Sequence, residues 1–417
     1  MPGATRKALT HTIMTTYTLH TPIPCHAAIC KALNLAGQER RVTLGLDLEL
    51  NTPAGSLVVA GGQPLNLGKH PRSLWVELVG WLVNQGCEVH CVQEACGFGW
   101  EFHRELEGAG AHSVVVAPQE LSGKRKTDKR DARMLATLLW DYVSRGNRAC
   151  LRPVRVPTVE KQQQRGSHRR REQVIKLRGQ IASQGRSLLW DHGWLRDLDS
   201  WWAPKNWEQL RADLLAAGRT WLVDMIEPMQ RMCLQLNGYS EELKKKAISE
   251  VKPPKTAIKK SEPGLILNAA EPPRASEEAP AAQVRPKGLG ELSYAIIAAE
   301  VGDWNRFKNR GQPGSFIGCC PSEYSSGEKQ KLGQIDRMGS SRIRTTLVEA
   351  AWRICRLNPN WRGVRKYPEE LGPQGTVRGA RKRKAIVACA RMLMVDLWRL
   401  HMGTATLEGL GLEPATT

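Results

Sequence analysis

The sequence predicts an α/β N-terminal domain, a long helical, coiled-coil-like region and an α-helical C-terminal domain. Up to about residue 157, short apolar runs alternate with helical patterns, as they do in a layered α/β sheet. The strand patterns then stop, and apolar residues recur at three- and four-residue spacing between polar and basic ones. A stretch rich in proline, alanine, lysine and glutamate, residues 251–285, precedes the last helices and is typical of a flexible linker.

The N-terminal pattern follows a proline-containing stretch, residues 1–40, which we expect to be a poorly ordered extension. Alternating or apolar runs bounded by glycine predict strands, and 3.6-residue periodicity predicts helices. The predicted strands are 41–50, 55–65, 87–95 and 112–118, and the predicted helices are 73–86, 100–110 and 126–140. Together they define an α/β domain over residues 41–157.

The second region, residues 158–250, is predicted to be helical throughout. Its joint, residues 190–207, contains five of the 14 tryptophans of the chain. We expect these rings to form the core of an antiparallel helical pair; a base-stacking platform is the alternative. After the linker, helices at 291–302, 339–357 and 381–403 predict a C-terminal domain over 286–403, followed by a tail, 404–417.

The charge of the chain favours a polyanionic partner. The net charge is +20 and the pI is about 9.7, and residues 121–190 hold eighteen Lys or Arg against five Asp or Glu. Lys and Arg at this density displace counterions from nucleic acid. No apolar run reaches the roughly 18 residues of a membrane span, and no lipidation motif is present. The eleven cysteines lack zinc-ribbon spacing and no secretory signal is evident, so we expect a reduced, cytoplasmic protein.

Two acids begin the helix in "KTDKRDARMLATLLW". Asp128 and Asp131 are one helical turn apart in a basic segment, and helix capping would explain an isolated pair. Asp47 and Glu94, however, also lie in or at the end of apolar strands, where a carboxylate is costly unless paired or metal-bound. Oxygen ligands from three elements suit Mg²⁺ or Mn²⁺, and two such ions about 3.5–4 Å apart catalyse phosphodiester chemistry.

The order strand-Asp, strand-Glu and helical D-x-x-D resembles the RuvC-like, RNase-H-type fold. More specifically, "LGLDLE", "CVQEACGFGWEFHREL" and "KTDKRDARMLA" resemble the DEDD transposases of the insertion-sequence-one-ten family, relatives of the pilin-gene inverting recombinases. Residues 300–352, with "PSEYSSGEKQK", look like the second domain of that family, and "PKGLGEL" resembles its Gly-x-Gly turn. The resemblance covers about 41–160 and 286–403.

The resemblance implies a metal site formed by Asp47, Glu94, Asp128 and Asp131, and a nucleophilic serine at Ser326 that forms a phosphoserine link to DNA. Ser325 and Tyr324 are the alternatives to Ser326. No histidine lies between residues 194 and 400, so a local Ser–His pair is not expected, and activation is assigned to the acidic residues. The resemblance also implies DNA as substrate, a structured guide RNA that pairs with target and donor DNA, and a homodimer or homotetramer. It further implies a bacterial protein associated with the nucleoid.

Basic residues around these motifs are predicted to contact nucleic acid. They are Lys126, Lys129, Arg130, Arg169, Arg170, Arg171, Lys176, Arg178, Arg342 and Arg344. Cys96 stands where the family usually has a small hydroxyl residue, and the linker and the N-terminal extension are longer than is typical.

The sequence therefore predicts an insertion-sequence transposase or recombinase. The alternatives are a metal-dependent nuclease of the Holliday-junction resolvase type, in which the serine is incidental, and an inactive copy that only binds nucleic acid.

Overall fold

A computed structural model describes residues 25–118, 127–194, 199–250, 285–324 and 332–415. The chain forms two compact units, residues 1–156 and 157–417. The first is a mixed α/β domain, and the described residues of the second are helical apart from connecting loops and one small hairpin, in agreement with the predicted order of α/β and helical parts. None of the helices in these described ranges has the length and hydropathy needed to cross a membrane.

The N-terminal unit is a five-stranded sheet covered by helices on both faces. Its strands are β1 (Arg41–Asp47), β2 (Ala54–Val59), β3 (Leu65–Lys69), β4 (Glu88–Glu94) and β5 (His112–Val116). Its helices are α1 (His26–Ala36), α2 (Arg72–Asn84), α3 (Gly99–Gly108) and α4 (Asp128–Ser144). The strand order is β3-β2-β1-β4-β5. The neighbours β1–β2 and β2–β3 are antiparallel, whereas β1–β4 and β4–β5 are parallel.

Alternation along β1 assigns each face of the sheet to different helices. Leu44 and Leu46 point into the core formed with α1, α2 and α3, where Trp75 and Phe102 are fully buried. The opposite face packs against α4, and Val92 of β4 contacts that layer. Leu44, Leu46 and Val92 lie in strands that the sequence pattern predicted.

Three features of the fold differ from the sequence prediction. Residues 26–36 of the expected extension form α1, because Ile29 and Leu33 are one turn apart and both are buried against the sheet. Strand β3 was not predicted; it is short, and only Leu67 in it is buried. Residues 404–415 are not a loose tail, since Leu407, Leu410 and Leu412 enter the C-terminal core. Residues 1–24, and the linker up to residue 284, lie outside the described ranges.

The second unit begins with two long helices joined by a shorter one. These are α5 (Val159–Asp191), α6 (Pro204–Ala216) and α7 (Thr220–Ser249). The guanidinium of Arg219 donates to the carbonyl of His192, and that of Arg178 to Asn237, so α5 and α7 run antiparallel. Trp201 and Trp207 pack between them with Leu189 and Ile226. The tryptophan-rich joint therefore forms a core, as the sequence predicted, while coiled-coil packing stays a prediction.

The rest of the second unit is a helical domain with a two-stranded hairpin. Its helices are α8 (Glu291–Val301), α9 (Gly311–Phe316), α10 (Ser341–Leu357), α11 (Arg362–Lys366), α12 (Pro368–Leu371), α13 (Gly379–His401) and α14 (Leu407–Leu410), with a 3-10 turn at Trp304–Arg306. Strands β6 (Pro321–Glu323) and β7 (Leu332–Ile335) pair antiparallel. Helices α8, α10 and α13 supply most of one continuous apolar core.

Candidate functional site

Asp47 and Glu94 end two neighbouring parallel strands. The register pairs Gly45 with Val92 and Leu46 with Gln93, so the next residues, Asp47 and Glu94, reach the same edge of the sheet. Gly45 of β1 and Val92 of β4 face α4. Asp47 and Glu94 each lie two residues further along the same strand, and side chains two residues apart in a strand share a face. The sheet therefore presents two acids toward the α4 layer at one edge, and their side chains are half-buried.

Helix α4 approaches β1 closely because Gly45 has no side chain. A Cβ at Gly45 would lie 2.3 Å from the carbonyl oxygen of Ala132 and from the amide nitrogen of Ala136. Two residues earlier, the Thr43 hydroxyl donates to the carbonyl oxygen of Ala136 at 2.9 Å. The residues of β1 that face α4 therefore approach the N-terminus of this helix in the order Thr43, Gly45 and then Asp47, the next residue on the same face.

The acids of the D-x-x-D motif occupy the first turn of α4, and they differ in environment. Asp131, next to Ala132, is buried, with 5% of its surface exposed, whereas the side chain of Asp128 is 41% exposed. Thr127 precedes the helix without a side-chain capping hydrogen bond. Both acids thus lie at the N-terminal end of α4, which is the end toward which Asp47 extends along β1.

A lysine that the sequence analysis missed reaches the same edge. The register pairs Asp47 with Ala54 and Ala54 with Lys69, so Lys69 ends β3 in the row of Asp47. The ammonium of Lys69 lies 2.5 Å from Asp128 Oδ2 and 2.7 Å from Glu49 Oε1. Its hydrogen bonds to Asp128 and Glu49 raise the pKa of Lys69 above its usual range, and the bond from Lys69 lowers the pKa of Asp128. Neither β3 nor this pairing had a signal in the sequence.

The acidic edge does not form a ready metal cage. Within the described residues, no three His, Cys, Asp or Glu side chains come together closely enough to hold a metal ion. The donor set is nevertheless carboxylate oxygen alone, which is the chemistry that Mg²⁺ and Mn²⁺ prefer. The structure thus brings the four predicted acids to one edge of one domain, and metal ligation by them stays a prediction.

The predicted nucleic-acid contacts divide into exposed and packed residues. Lys129, Arg169, Arg170 and Lys176 are exposed, and Arg130 and Arg171 are partly buried at the start of α4 and on α5. Lys126 lies outside the described residues. Arg178 is packed, because its guanidinium contacts Asn237 and lies 4.9 Å from the centre of the Trp202 ring. Their contacts with nucleic acid stay a prediction.

Arg342 and Arg344 make structural contacts in the C-terminal domain. Arg342 binds Glu172 of α5 through two hydrogen bonds, 2.6 and 2.7 Å long, and binds Glu300 of α8 at 3.1 Å. The hydrogen bonds to Glu172 are the largest cause that raises the pKa of Arg342. Arg344 donates to the carbonyl oxygen of Ile317 at 2.9 Å. Arg342 therefore links α5 to α8 and α10, besides any role toward nucleic acid.

The candidate nucleophile Ser326 and its neighbour Ser325 lie outside the described residues, between β6 and β7. The base of that hairpin is tightly packed. A Cβ at Gly339 would lie 2.3 Å from the amide nitrogen of Gly318, so the chain segments before β6 and after β7 cross in direct contact. Tyr324, the last described residue on the β6 side, is 71% exposed.

The structure thus describes an α/β domain with carboxylates at one edge of its sheet, followed along the chain by a helical unit. Residues 285–365 match the family model described as "Transposase IS116/IS110/IS902 family". The chain is 28% identical over 320 residues to the transposase for insertion sequence element IS1111A of Coxiella burnetii, covering 75% of this chain and 78% of that protein. It is also 28% identical over 327 residues to y4rJ, a candidate transposase of Sinorhizobium fredii, covering 76% and 78%.

A family 20 transposase of Pseudomonas aeruginosa is 26% identical over 267 residues, covering 64% of this chain and 71% of that protein. The family model and these relatives support an IS110-family transposase, in agreement with the resemblance seen in the sequence. They likewise support an enzyme that acts on DNA as a transposase.

Proposed function

We propose that the chain cleaves and rejoins DNA strands as the transposase of an insertion sequence. What supports the mechanism is the edge of the N-terminal sheet, where Asp47 and Glu94 end β1 and β4 and where the D-x-x-D acids begin α4. A mixed five-stranded sheet in which only β2 runs opposite to the other strands agrees with the RuvC-like domain that the resemblance implies.

The four acids would hold Mg²⁺ or Mn²⁺. When bound, such an ion supplies positive charge beside the scissile phosphate. Asp47 and Glu94 end rigid strands, and Gly45 holds α4 against β1, so these side chains are positioned by backbone rather than by a loop. Before a metal binds, Lys69 favours the ionised form of Asp128, because their hydrogen bond lowers the pKa of Asp128.

In this proposal the hydroxyl of Ser326 is the nucleophile. Its oxygen forms a bond to a DNA phosphorus, one phosphoester bond of the strand breaks, and the departing DNA hydroxyl takes up a proton. The resulting phosphoserine conserves an ester bond that a second DNA hydroxyl can attack, so strands are rejoined without an external energy source. A structured RNA would select the sites by base pairing, and a dimer or tetramer would hold both DNA partners.

The decisive experiment tests for the covalent intermediate. Purified protein would be incubated with Mg²⁺ and labelled DNA that carries the sequences flanking this gene, then denatured and separated by mass. The wild type should yield a protein–DNA adduct, Ser326→Ala should yield none, and Ser325→Ala should lower the yield far less. Cleaved and rejoined DNA with Ser326→Ala, without any adduct, would replace this proposal with water-dependent cleavage of the resolvase type.

A further inference from the structure

The C-terminal domain contains a large open cleft whose lining is strongly basic. The cleft has a volume of about 1140 Å³, and the described residues that line it include no Asp or Glu. Arg362 lines it but is paired with the buried carboxylate of Asp396 beneath. We call this surface the basic cleft. Six further cations line it: Arg310, Arg337, Lys366, Arg383, Lys384 and Arg391.

One face of α13 forms the floor of the basic cleft. Arg383, Lys384, Val387, Ala388, Arg391, Met392 and Val395 all line it, and this spacing of three and four residues follows a single stripe of a helix. The cations at the start of the stripe are exposed, whereas Val395 is buried. The floor therefore combines a cationic end with an apolar end.

The opposite wall is the β6–β7 hairpin. Pro321 of β6, and Gly333 and Ile335 of β7, line the basic cleft, followed by Arg337. Arg337 has a left-handed backbone, with φ at 59°. Its amide donates to the carbonyl oxygen of Gly318 at 3.2 Å, which ties this turn to the crossing at the base of the hairpin. The wall that carries Arg337 is thus fixed by backbone contacts.

This arrangement suits an extended polyanion better than a small anion. The six cations come from four places in the chain: the residue before α9, the turn after β7, helix α11 and helix α13. They surround a volume larger than the roughly 300–1,000 Å³ of small-molecule sites and do not converge on one point. Phosphates along a strand can each meet one cation, and apolar sugar and base surface can cover Val387 and Met392.

We propose that the basic cleft binds the phosphodiester backbone of a nucleic-acid strand beside the hairpin that precedes and follows Ser326. This inference rests on the proposed function, because it identifies where the C-terminal domain holds the strand on which a transposase acts. The same backbone chemistry belongs to DNA and to RNA, so the test compares both.

The test measures binding without cleavage. The full-length protein, in buffer containing a chelator, would be titrated into fluorescein-labelled single-stranded DNA, RNA of the same sequence and duplex DNA, over a range of salt concentrations. Two charge-neutralising double variants address different parts of the cleft. Arg383→Gln with Lys384→Gln alters the α13 floor, and Arg310→Gln with Arg337→Gln alters cations outside α13. The control is the double variant Arg353→Gln with Arg356→Gln, because both arginines are exposed on α10 outside the cleft lining.

Each cleft variant should bind a strand at least about fivefold more weakly, and the slope of log K against log salt should fall by roughly 1.4 for two lost single-strand contacts. The control should change neither quantity. Equal losses on DNA and RNA support a shared backbone site, and a loss confined to one polymer identifies the occupant. Cleft variants that fold as the wild type by circular dichroism, yet bind like the control, would overturn the inference. Loss of binding in these variants, with no covalent adduct from the wild type, would instead contradict only the proposed function.

Discussion

Lys69 Nζ lies 2.5 Å from Asp128 Oδ2, so a cation from the edge of the sheet contacts the first acid of the D-x-x-D motif. The same ammonium binds Glu49, and these two carboxylates hold it at the edge where Asp47 ends β1. An ammonium in this position competes with a metal ion for Asp128. We therefore expect Lys69 to leave Asp128 when the metal binds.

Replacing this lysine should strengthen metal binding. In Lys69→Met, Mn²⁺ measured by calorimetry at neutral pH, without DNA, should bind roughly threefold or more tightly, because an exposed competing charge is lost. The acid limit of binding should move to higher pH, since the Lys69 hydrogen bond that lowers the pKa of Asp128 is gone. Lys31→Met removes an exposed lysine of the same domain and should have neither effect. Unchanged or weaker Mn²⁺ binding in Lys69→Met would exclude the competition.

The contact between Gly45 and α4 predicts a sharp steric effect. A Cβ at Gly45 meets backbone atoms of Ala132 and Ala136, which cannot rotate away as a side chain could. Gly45→Val should lower the free energy of unfolding by about 3 kcal/mol and displace the helix that carries Asp131. Urea unfolding would measure the first effect and DNA cleavage the second. Gly108→Ala, where a Cβ would meet nothing within 4 Å, is the matched control, and equal stabilities of the two variants would disprove the argument.

The acids at this edge were predictable from the sequence, but the ion pairs that Lys69 forms with Asp128 and Glu49 were not. The positions of Asp47 and Glu94 followed from strand patterns, because an acid at the end of an apolar run is conspicuous. Lys69 could not be found in that way, since β3 has a single buried residue and its partners Asp128 and Glu49 are distant in sequence. Similarly, the three leucines after residue 404 are too few to predict a helix, although tertiary packing buries them.

The contacts of Arg342 predict a structural role. Arg342→Met should destabilise the second unit by about 1.5–3 kcal/mol, because Glu300, whose side chain is 9% exposed, loses a charged hydrogen-bond partner. Arg169→Met, 4.0 Å from Glu300 and exposed, is the control and should cost much less. Thermal unfolding would measure both. If Arg342→Met reduced the salt dependence of nucleic-acid binding and left stability intact, its role would be contact with nucleic acid, as the sequence analysis predicted.

The burial of His401 predicts that the C-terminal domain loses stability in acid. It is stacked on Trp304 and hydrogen-bonded to Tyr294, and burial lowers its pKa to about 4. The unfolded chain takes up a proton near pH 6.5, so stability is complete above that pH and falls toward pH 4 by up to about 1.4 kcal/mol per pH unit. Buried His168, whose pKa burial also lowers, acts in the same direction.

His401→Gln should therefore reduce the slope of unfolding free energy against pH by about one proton between pH 6.5 and 4, and His168 should keep some slope. Urea unfolding at several pH values would give this slope, independently of any constant loss of packing. An unaltered slope in His401→Gln would show that this histidine is protonated in the folded state.

The central claim is that the acids at the edge of the N-terminal sheet form one metal-dependent site for DNA strand cleavage. Its most direct test is cleavage of labelled DNA carrying the flanking sequences of the gene, measured against Mg²⁺ concentration. Asp47→Asn, Glu94→Gln, Asp128→Asn and Asp131→Asn should each cleave at least about 100-fold more slowly while still binding DNA, and a chelator should stop the wild type. Glu105→Gln, an exposed acid of α3, should cleave normally. Full wild-type cleavage in the presence of the chelator, or normal cleavage by Asp131→Asn, would contradict the account.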